Sequence, residues 1–182
     1  MNIDAEGLAE GAEYIPSPNR DERPAGAAVE LLVIHNISLP PGVFGGDAVI
    51  DLFLNRLDPR AHPYYETIAT LRVSAHFFIR RDGALLQFVP CGMRAWHAGQ
   101  SSWRGRERCN DFSIGIELEG SDDLAYSDAQ YDRLAVLARA LHARYPIVAS
   151  AGHCDIAPGR KTDPGPLFDW HRYFRETAKN VV

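Results

Sequence analysis

A chain of 182 residues, 46% hydrophobic and 24% charged, is long enough for one soluble domain with a substantial core. Its net charge of −5 excludes a general nucleic-acid binder, which needs a basic surface to neutralise phosphate. Three scattered cysteines, Cys91, Cys109 and Cys154, exclude a disulfide framework and suit a reducing compartment.

Residues 1–28 are polar, with Pro16, Pro18, Pro24 and Gly26, and read as an N-terminal arm packing on a single domain over 29–182. The start, Met-Asn-Ile-Asp-Ala-Glu, is acidic where an export signal would carry lysine or arginine. No run approaches the length of a membrane span, so the expectation is a cytoplasmic protein without membrane contact. Leu31 to His35 is a continuous apolar run, the mark of a buried strand, and it ends on a histidine. Pro40 to Gly46 reads as a loop, after which Asp47 would cap a short helix with Ile50, Phe53 and Leu54 on its apolar face. Ala75–Ile79 and Leu85–Val89 flank Arg80-Arg81-Asp82-Gly83, and Asp-Gly between apolar runs predicts a hairpin. In the strand predicted over Phe112–Leu118, alternation sets Ile114, Ile116 and Leu118 on one face. Ser113, Gly115, Glu117 and Glu119 fall on the other.

Ser127 and Gln130 have the spacing of a capping box. Leu134, Leu137, Ala138 and Leu141 follow at helical intervals, and Pro146 enforces the stop. Ile147–Ala149 reads as a short strand, and Asp169 as the cap of a last helix with Trp170, Tyr173 and Phe174 facing inward. Strands mixed with helices predict a single α/β domain, a sheet packed by helices.

The chemistry gathers in the loop from Gly152 to Pro166, stiffened by three prolines and three glycines, which can hold polar side chains in one arrangement. His153 and Asp163 within it are plausible zinc ligands. Catalytic zinc takes three protein ligands, and His35, delivered by its strand to the rim of a sheet, is the best third. Cys154 is a rival thiolate, but as the neighbour of His153 it points away unless the loop folds back. The strand pattern leaves Glu117 and Glu119 equally placed as a base, one of them being a solvated carboxylate on an edge strand. Lys161 either stabilises an oxyanion or is a surface residue paired with Arg160. Of the seven histidines, His62, His142 and His171 read as surface or packing residues, and His76 as a core or cleft residue. Arg94-Ala95-Trp96-His97-Ala98-Gly99, with Trp103, Arg104, Arg106 and Arg108 beyond, sets aromatic rings beside forked donors. That combination suits a sugar bearing an acidic peptide.

Several segments in order carry a resemblance: Val-Ile-His-Asn-Ile-Ser-Leu-Pro-Pro-Gly (33–42), Val-Ser-Ala-His (73–76), Arg-Ala-Trp-His-Ala-Gly (94–99), Gly105 to Gly120, and Arg-Lys-Thr-Asp-Pro-Gly-Pro (160–166). Together the chain resembles the zinc N-acetylmuramoyl-L-alanine amidases, in particular the cytoplasmic type acting on 1,6-anhydro-muropeptides. The resemblance implies a central mixed β-sheet flanked by α-helices, as in peptidoglycan-recognition proteins. It implies Zn2+ held by His35, His153 and Asp163, Glu117 rather than Glu119 as general base, and Lys161 beside the oxyanion. It further implies Arg72 and Arg108 on the stem-peptide carboxylates, and Trp96 and His97 bordering the sugar. The partner expected is a small-molecule muropeptide from cell-wall recycling, with an influence on β-lactamase induction and no obligate protein partner. Two rival expectations are an amidase for intact wall and a muropeptide-binding module that does not cut.

Overall fold

Seven consecutive buried residues, Ser113–Glu119, form the strand about which the molecule is built. The computed structural model describes residues 1–178; positions 179–182, within the domain expected over 29–182, lie outside the described residues. In chain order the strands are β1 (Glu13–Tyr14), β2 (Arg20–Glu22), β3 (Leu31–Ile37), β4 (Phe77–Ile79), β5 (Leu85–Gln87), β6 (Met93–Ala95), β7 (Ser102–Trp103), β8 (Arg106–Glu107), β9 (Ser113–Glu119) and β10 (Ala149–Gly152). The helices are α1 (Ala48–Phe53), α2 (Pro63–Ile68), α3 (Asp128–Arg144), α4 (His153–Ile156) and α5 (Trp170–Thr177).

The main sheet has the order β1-β5-β4-β9-β3-β10. Only β4 and β5, the Asp-Gly hairpin, pair antiparallel; the other neighbours are parallel, so the sheet is mixed. Parallel strands buried on both faces carry near-continuous apolar sequence, as Leu31–Ile34 does. On one face Leu32, Ile34, Ile114, Ile116, Phe77 and Ile79 pack against Leu134, Leu137, Ala138 and Leu141 of α3. On the other, Phe78, Leu86 and Phe88 meet Ile50, Leu52 and Phe53 of α1, and Leu31 and Val33 meet Ala98, Phe112 and Ile156. This second face also carries Ser113, Gly115, Glu117 and Glu119, as alternation along β9 requires.

The capping box of α3 forms in full: Gln130 N–H donates to Ser127 Oγ, and Ser127 N–H to Gln130 Oε1, each at 3.1 Å. Such caps stabilise a helix by about 1 kcal/mol. Asp169 caps α5 through Arg172 N–H. Four expectations need correction. Asp47 stands at the start of α1 but makes no side-chain cap bond, because its carboxylate takes the Arg80 guanidinium. The strand expected over Ile147–Ala149 lies two residues later, and Val148 is 74% exposed. Phe174 is half exposed and stacks on Trp170, so of the last helix's aromatics only Tyr173 is fully buried. The stretch from Gly152 to Pro166, expected as a loop, begins with the single turn α4.

The arm makes tertiary structure throughout. Ile3 and Ala9 enter the core, β1 adds to β5 at the sheet edge, and β2 pairs with β6. Arg23 is half-buried and donates to the carbonyls of Cys91, Asn110, Asp111 and Ser113.

Candidate metal centre and cleft

Three parallel strands deliver the site. His35 of β3 is in register with Glu117 of β9, so both project from the same face at the same level. Gly152 of β10 is in register with Ile34, which brings the next residue, His153, to the level of His35. Asp163 returns over them because the loop folds back, with Cys154 N–H donating to the Asp163 carbonyl at 2.9 Å. Gly152 makes room for that return: a β-carbon there would lie 2.8 Å from Pro164 Cδ. This arrangement stands at the carboxyl ends of parallel strands, where open α/β sheets place their ligands.

His35 Nδ1 lies 3.0 Å from His153 Nδ1 and 3.0 Å from Asp163 Oδ2, and the last two atoms are 3.1 Å apart. Zinc bonds of about 2.0–2.2 Å at tetrahedral angles hold their ligand atoms roughly 3.3–3.6 Å apart, so the triangle need open by only a few tenths of an ångström. No other group of three or more His, Cys, Asp or Glu side chains among the described residues could hold a metal ion. Cys154 stays outside it. The His153 ring presents the correct nitrogen, because its Nε2–H donates to the Ala98 carbonyl at 3.2 Å and leaves Nδ1 a lone pair. Burial pushes His35 down to about 4 against the opposing effect of the Asp163 carboxylate, so its ring is neutral and able to ligate. Burial would raise the Asp163 carboxyl, but the adjoining His153 and His35 rings outweigh it and hold the group below the usual carboxylate range.

Glu117 is 8% exposed, and its Oε2 is buried without a hydrogen-bond partner. Burial pushes its pKa well up, Asp163 adds to the rise and Lys161 opposes it. A carboxyl so placed can take up a proton and give it back. Glu119, two residues on, is not the solvated edge carboxylate that the alternative reading proposed. β9 is a central strand, Glu119 is 3% exposed, and its oxygens accept the N–H groups of Gly45 (2.6 Å) and Arg81 (2.9 Å).

His35, Glu117, His153 and Asp163 open onto a cleft of about 610 Å³. Lys161 and Trp96 stand on its wall, and Ile37, Leu39, Tyr64, Ile68 and Leu71 supply an apolar side that sequence reasoning did not single out. Tyr64, Ile68 and Leu71 do recur at helical spacing, but Ile37 and Leu39 come from a distant stretch, so no local pattern joins the five. Trp96 is held by its Nε1–H donating to Asp21 at 3.1 Å, and Asp21 also pairs with Arg94. His97 is 9% exposed at the cleft floor with both ring nitrogens engaged, Nδ1 by His35 and Nε2 by Ser113. Arg72 is exposed on the rim between Leu71 and Val73 and donates to the carbonyls of Thr70 and Leu71. Arg108 lies outside this cleft. It lines a second one of about 390 Å³, which meets the first at Arg160, and it pairs with Asp111. Arg106 packs over Phe112 and pairs with Glu30, and Arg104 lies over Trp103. His76 is a core residue: Gly115 N–H donates to its Nδ1, and its Nε2–H donates to the Met93 carbonyl.

The family model described as N-acetylmuramoyl-L-alanine amidase matches residues 25–166. The chain is 61% identical to the 1,6-anhydro-N-acetylmuramyl-L-alanine amidase AmpD of Citrobacter freundii, over 95% of this chain and 93% of that one. A solved structure of a selenomethionine AmpD derivative superposes with a TM-score of 0.94 at 59% identity, covering 97% of this chain and 99% of that chain. The Escherichia coli amidase AmiD, solved with anhydro-N-acetylmuramic acid-L-Ala-D-γ-Glu-L-Lys, matches at TM-score 0.61 and 32% identity, over 85% of this chain and 60% of that one.

Proposed function

The chain belongs to the N-acetylmuramoyl-L-alanine amidase family, and from that premise we propose that it is a zinc enzyme of cell-wall recycling. It hydrolyses the amide between 1,6-anhydro-N-acetylmuramic acid and the L-alanine of the stem peptide. The observation that carries this reading is the buried, unpartnered Oε2 of Glu117 in register with a triangle of three ligand-capable atoms. His35, His153 and Asp163 would hold zinc, which when bound makes water acidic enough to attack near neutral pH and polarises a carbonyl. Glu117 accepts the proton of the attacking water and passes it to the leaving amine nitrogen. Lys161 places its ammonium against the oxyanion of the tetrahedral intermediate. Trp96 and His97 border the sugar, with Tyr64 and Leu71 supplying apolar wall, and Arg72 and Arg108 face the stem-peptide carboxylates.

The substrate is a soluble muropeptide. The AmpD relative is named for the anhydro substrate, and the AmiD structure contains one. No helix among the described residues is long and apolar enough to cross a membrane, and a cytoplasmic site of action with an effect on β-lactamase induction belongs to the same proposal. The test is mass spectrometry of products after incubation with anhydro-muropeptides and, separately, with reducing-end muropeptides. The expected result is a free peptide beginning with alanine, formed faster from the anhydro substrate and abolished by a chelator. Equal kcat/KM on both substrates would remove the recycling role and leave an amidase of broader use.

A further inference from the structure

We propose that His97 is a positioning residue for the metal centre: it accepts the Nε2–H of His35 and thereby turns the His35 Nδ1 lone pair into the ligand triangle. The inference rests on the reading of that triangle as a zinc site. Its direction comes from a chain of four groups that ends on a backbone carbonyl. The Cys109 carbonyl can only accept, and Ser113 Oγ lies 2.6 Å from it, so the serine hydroxyl hydrogen is committed there. Ser113 Oγ is then free to accept from His97 Nε2 at 3.1 Å. A neutral imidazole carries one ring proton, so His97 Nδ1 is an acceptor, and it lies 2.9 Å from His35 Nε2. His35 must therefore carry its proton on Nε2. Its Nδ1, 3.0 Å from both His153 Nδ1 and Asp163 Oδ2, is left as the lone pair a metal needs.

The His97 ring is also placed by what β9 lacks. A β-carbon on Gly115 would collide with the ring, 2.6 Å from its Nδ1 and 2.7 Å from its Cδ2. The ring thus lies flat on the strand between Ser113, which it bonds, and the level of Glu117. Its edge meets the His35 ring at an interplanar angle of 85°. With both nitrogens engaged and 9% of its surface exposed, His97 offers a sugar only the edge of its ring.

The experiment measures zinc dissociation constants by competition with a chromogenic chelator, on the full chain. His97→Phe keeps the ring and removes the acceptor, and should weaken zinc binding by about 10–100-fold, the usual cost of losing such a supporting partner. His97→Asn sets an oxygen near the position of Nδ1 and should recover most of the affinity. Gly115→Ala removes no polar group but displaces the ring, and should weaken zinc binding as well. Wild-type affinity in a folded His97→Phe, or His97→Asn as weak as His97→Phe, would overturn the proposal. A 15N NMR spectrum of the zinc-free wild type decides independently of any variant: His35 should show its protonated nitrogen at Nε2, and protonation at Nδ1 would overturn the inference. Wild-type protein that binds no zinc would instead defeat the metal reading, and the spectrum would still test the hydrogen-bond chain.

Discussion

The ligand end of the cleft and its arginine-bearing rim are built by different means. At the ligand end, His35, Glu117 and His153 are set by strand register and buried to 8% exposure or less, and the two histidine rings are held by partners on their far sides. At the rim, Arg72 is exposed and bonds only carbonyls beside it, and Arg108 reaches its single carboxylate partner from an exposed position. Preorganised groups act without rearrangement at the moment of reaction. Exposed arginines are free to follow a ligand, but they lose side-chain entropy when they do. Chemistry should therefore be lost abruptly by changes at the ligand end and gradually by changes at the rim.

The sharpest break is at the triangle. His35→Ala, His153→Ala and Asp163→Ala should each lose zinc binding at stoichiometric concentrations, because three ligands lose charge and geometry together. Equilibrium dialysis with metal analysis checks this, and full zinc content in all three variants would dissolve the comparison. Next in size is Glu117→Gln, which should keep zinc and lower kcat by about 10²–10⁴-fold, the usual contribution of a general base. Glu119→Gln sharpens the point from two residues away. That carboxylate ties the loops at Gly45 and Arg81 to the sheet, so its replacement should cost about 1–3 kcal/mol of stability in a denaturant titration and leave kcat nearly unchanged. A large loss of kcat in Glu119→Gln with normal stability would mean that the two carboxylates have been assigned the wrong way round.

The same contrast governs what could be read before the structure. β3 was legible because Leu31–Ile34 is an unbroken apolar run, and α3 because Ser127 and Gln130 announce its start and Pro146 its stop. The β4–β5 hairpin was legible from Asp82-Gly83. Alternation assigned Glu117 and Glu119 to one face of β9 but said nothing of what covers that face. That depends on β3 and β4, which come from distant sequence, and the two glutamates are separated by partners that no local pattern encodes. The short strand β10 was displaced by the apolar look of Ile147 and Val148, the second of which faces solvent. The arm's polar composition hid the buried Ile3 and Ala9 and the carbonyl-bonding Arg23. His35 and Asp163 meet across 128 residues, a distance at which spacing carries no information, so the ligand set came from resemblance rather than from pattern. The support of His35 by His97 had a visible signal in Ser113 and Gly115, two small residues on the face that carries Glu117.

The smallest expected effect is at the rim, and it tests whether the two clefts work as one. Arg160 lines both and donates to the carbonyls of Ala98 and Gln100, so it is a fixed part of the wall between them. A stem peptide leaving the ligand end toward Arg160 would bring a carboxylate within reach of Arg108, whose side chain is exposed and whose partner Asp111 keeps Arg94 if Arg108 leaves it. A charge-assisted contact of this kind contributes about 1.5–3 kcal/mol, or roughly 10–150-fold in kcat/KM, and the ordering of an exposed side chain should hold the effect near the lower end. Arg108→Ala should therefore lower kcat/KM about tenfold on a substrate with a tripeptide stem, with zinc content unchanged and less effect on a substrate bearing L-alanine alone. Arg72→Ala, beside the cleft-lining Leu71, should behave in the same direction. If Arg108→Ala lowers both substrates equally, the arginine acts on the fold of its loop rather than on the peptide. The rim would then owe its selectivity to the apolar wall of Tyr64, Ile68 and Leu71.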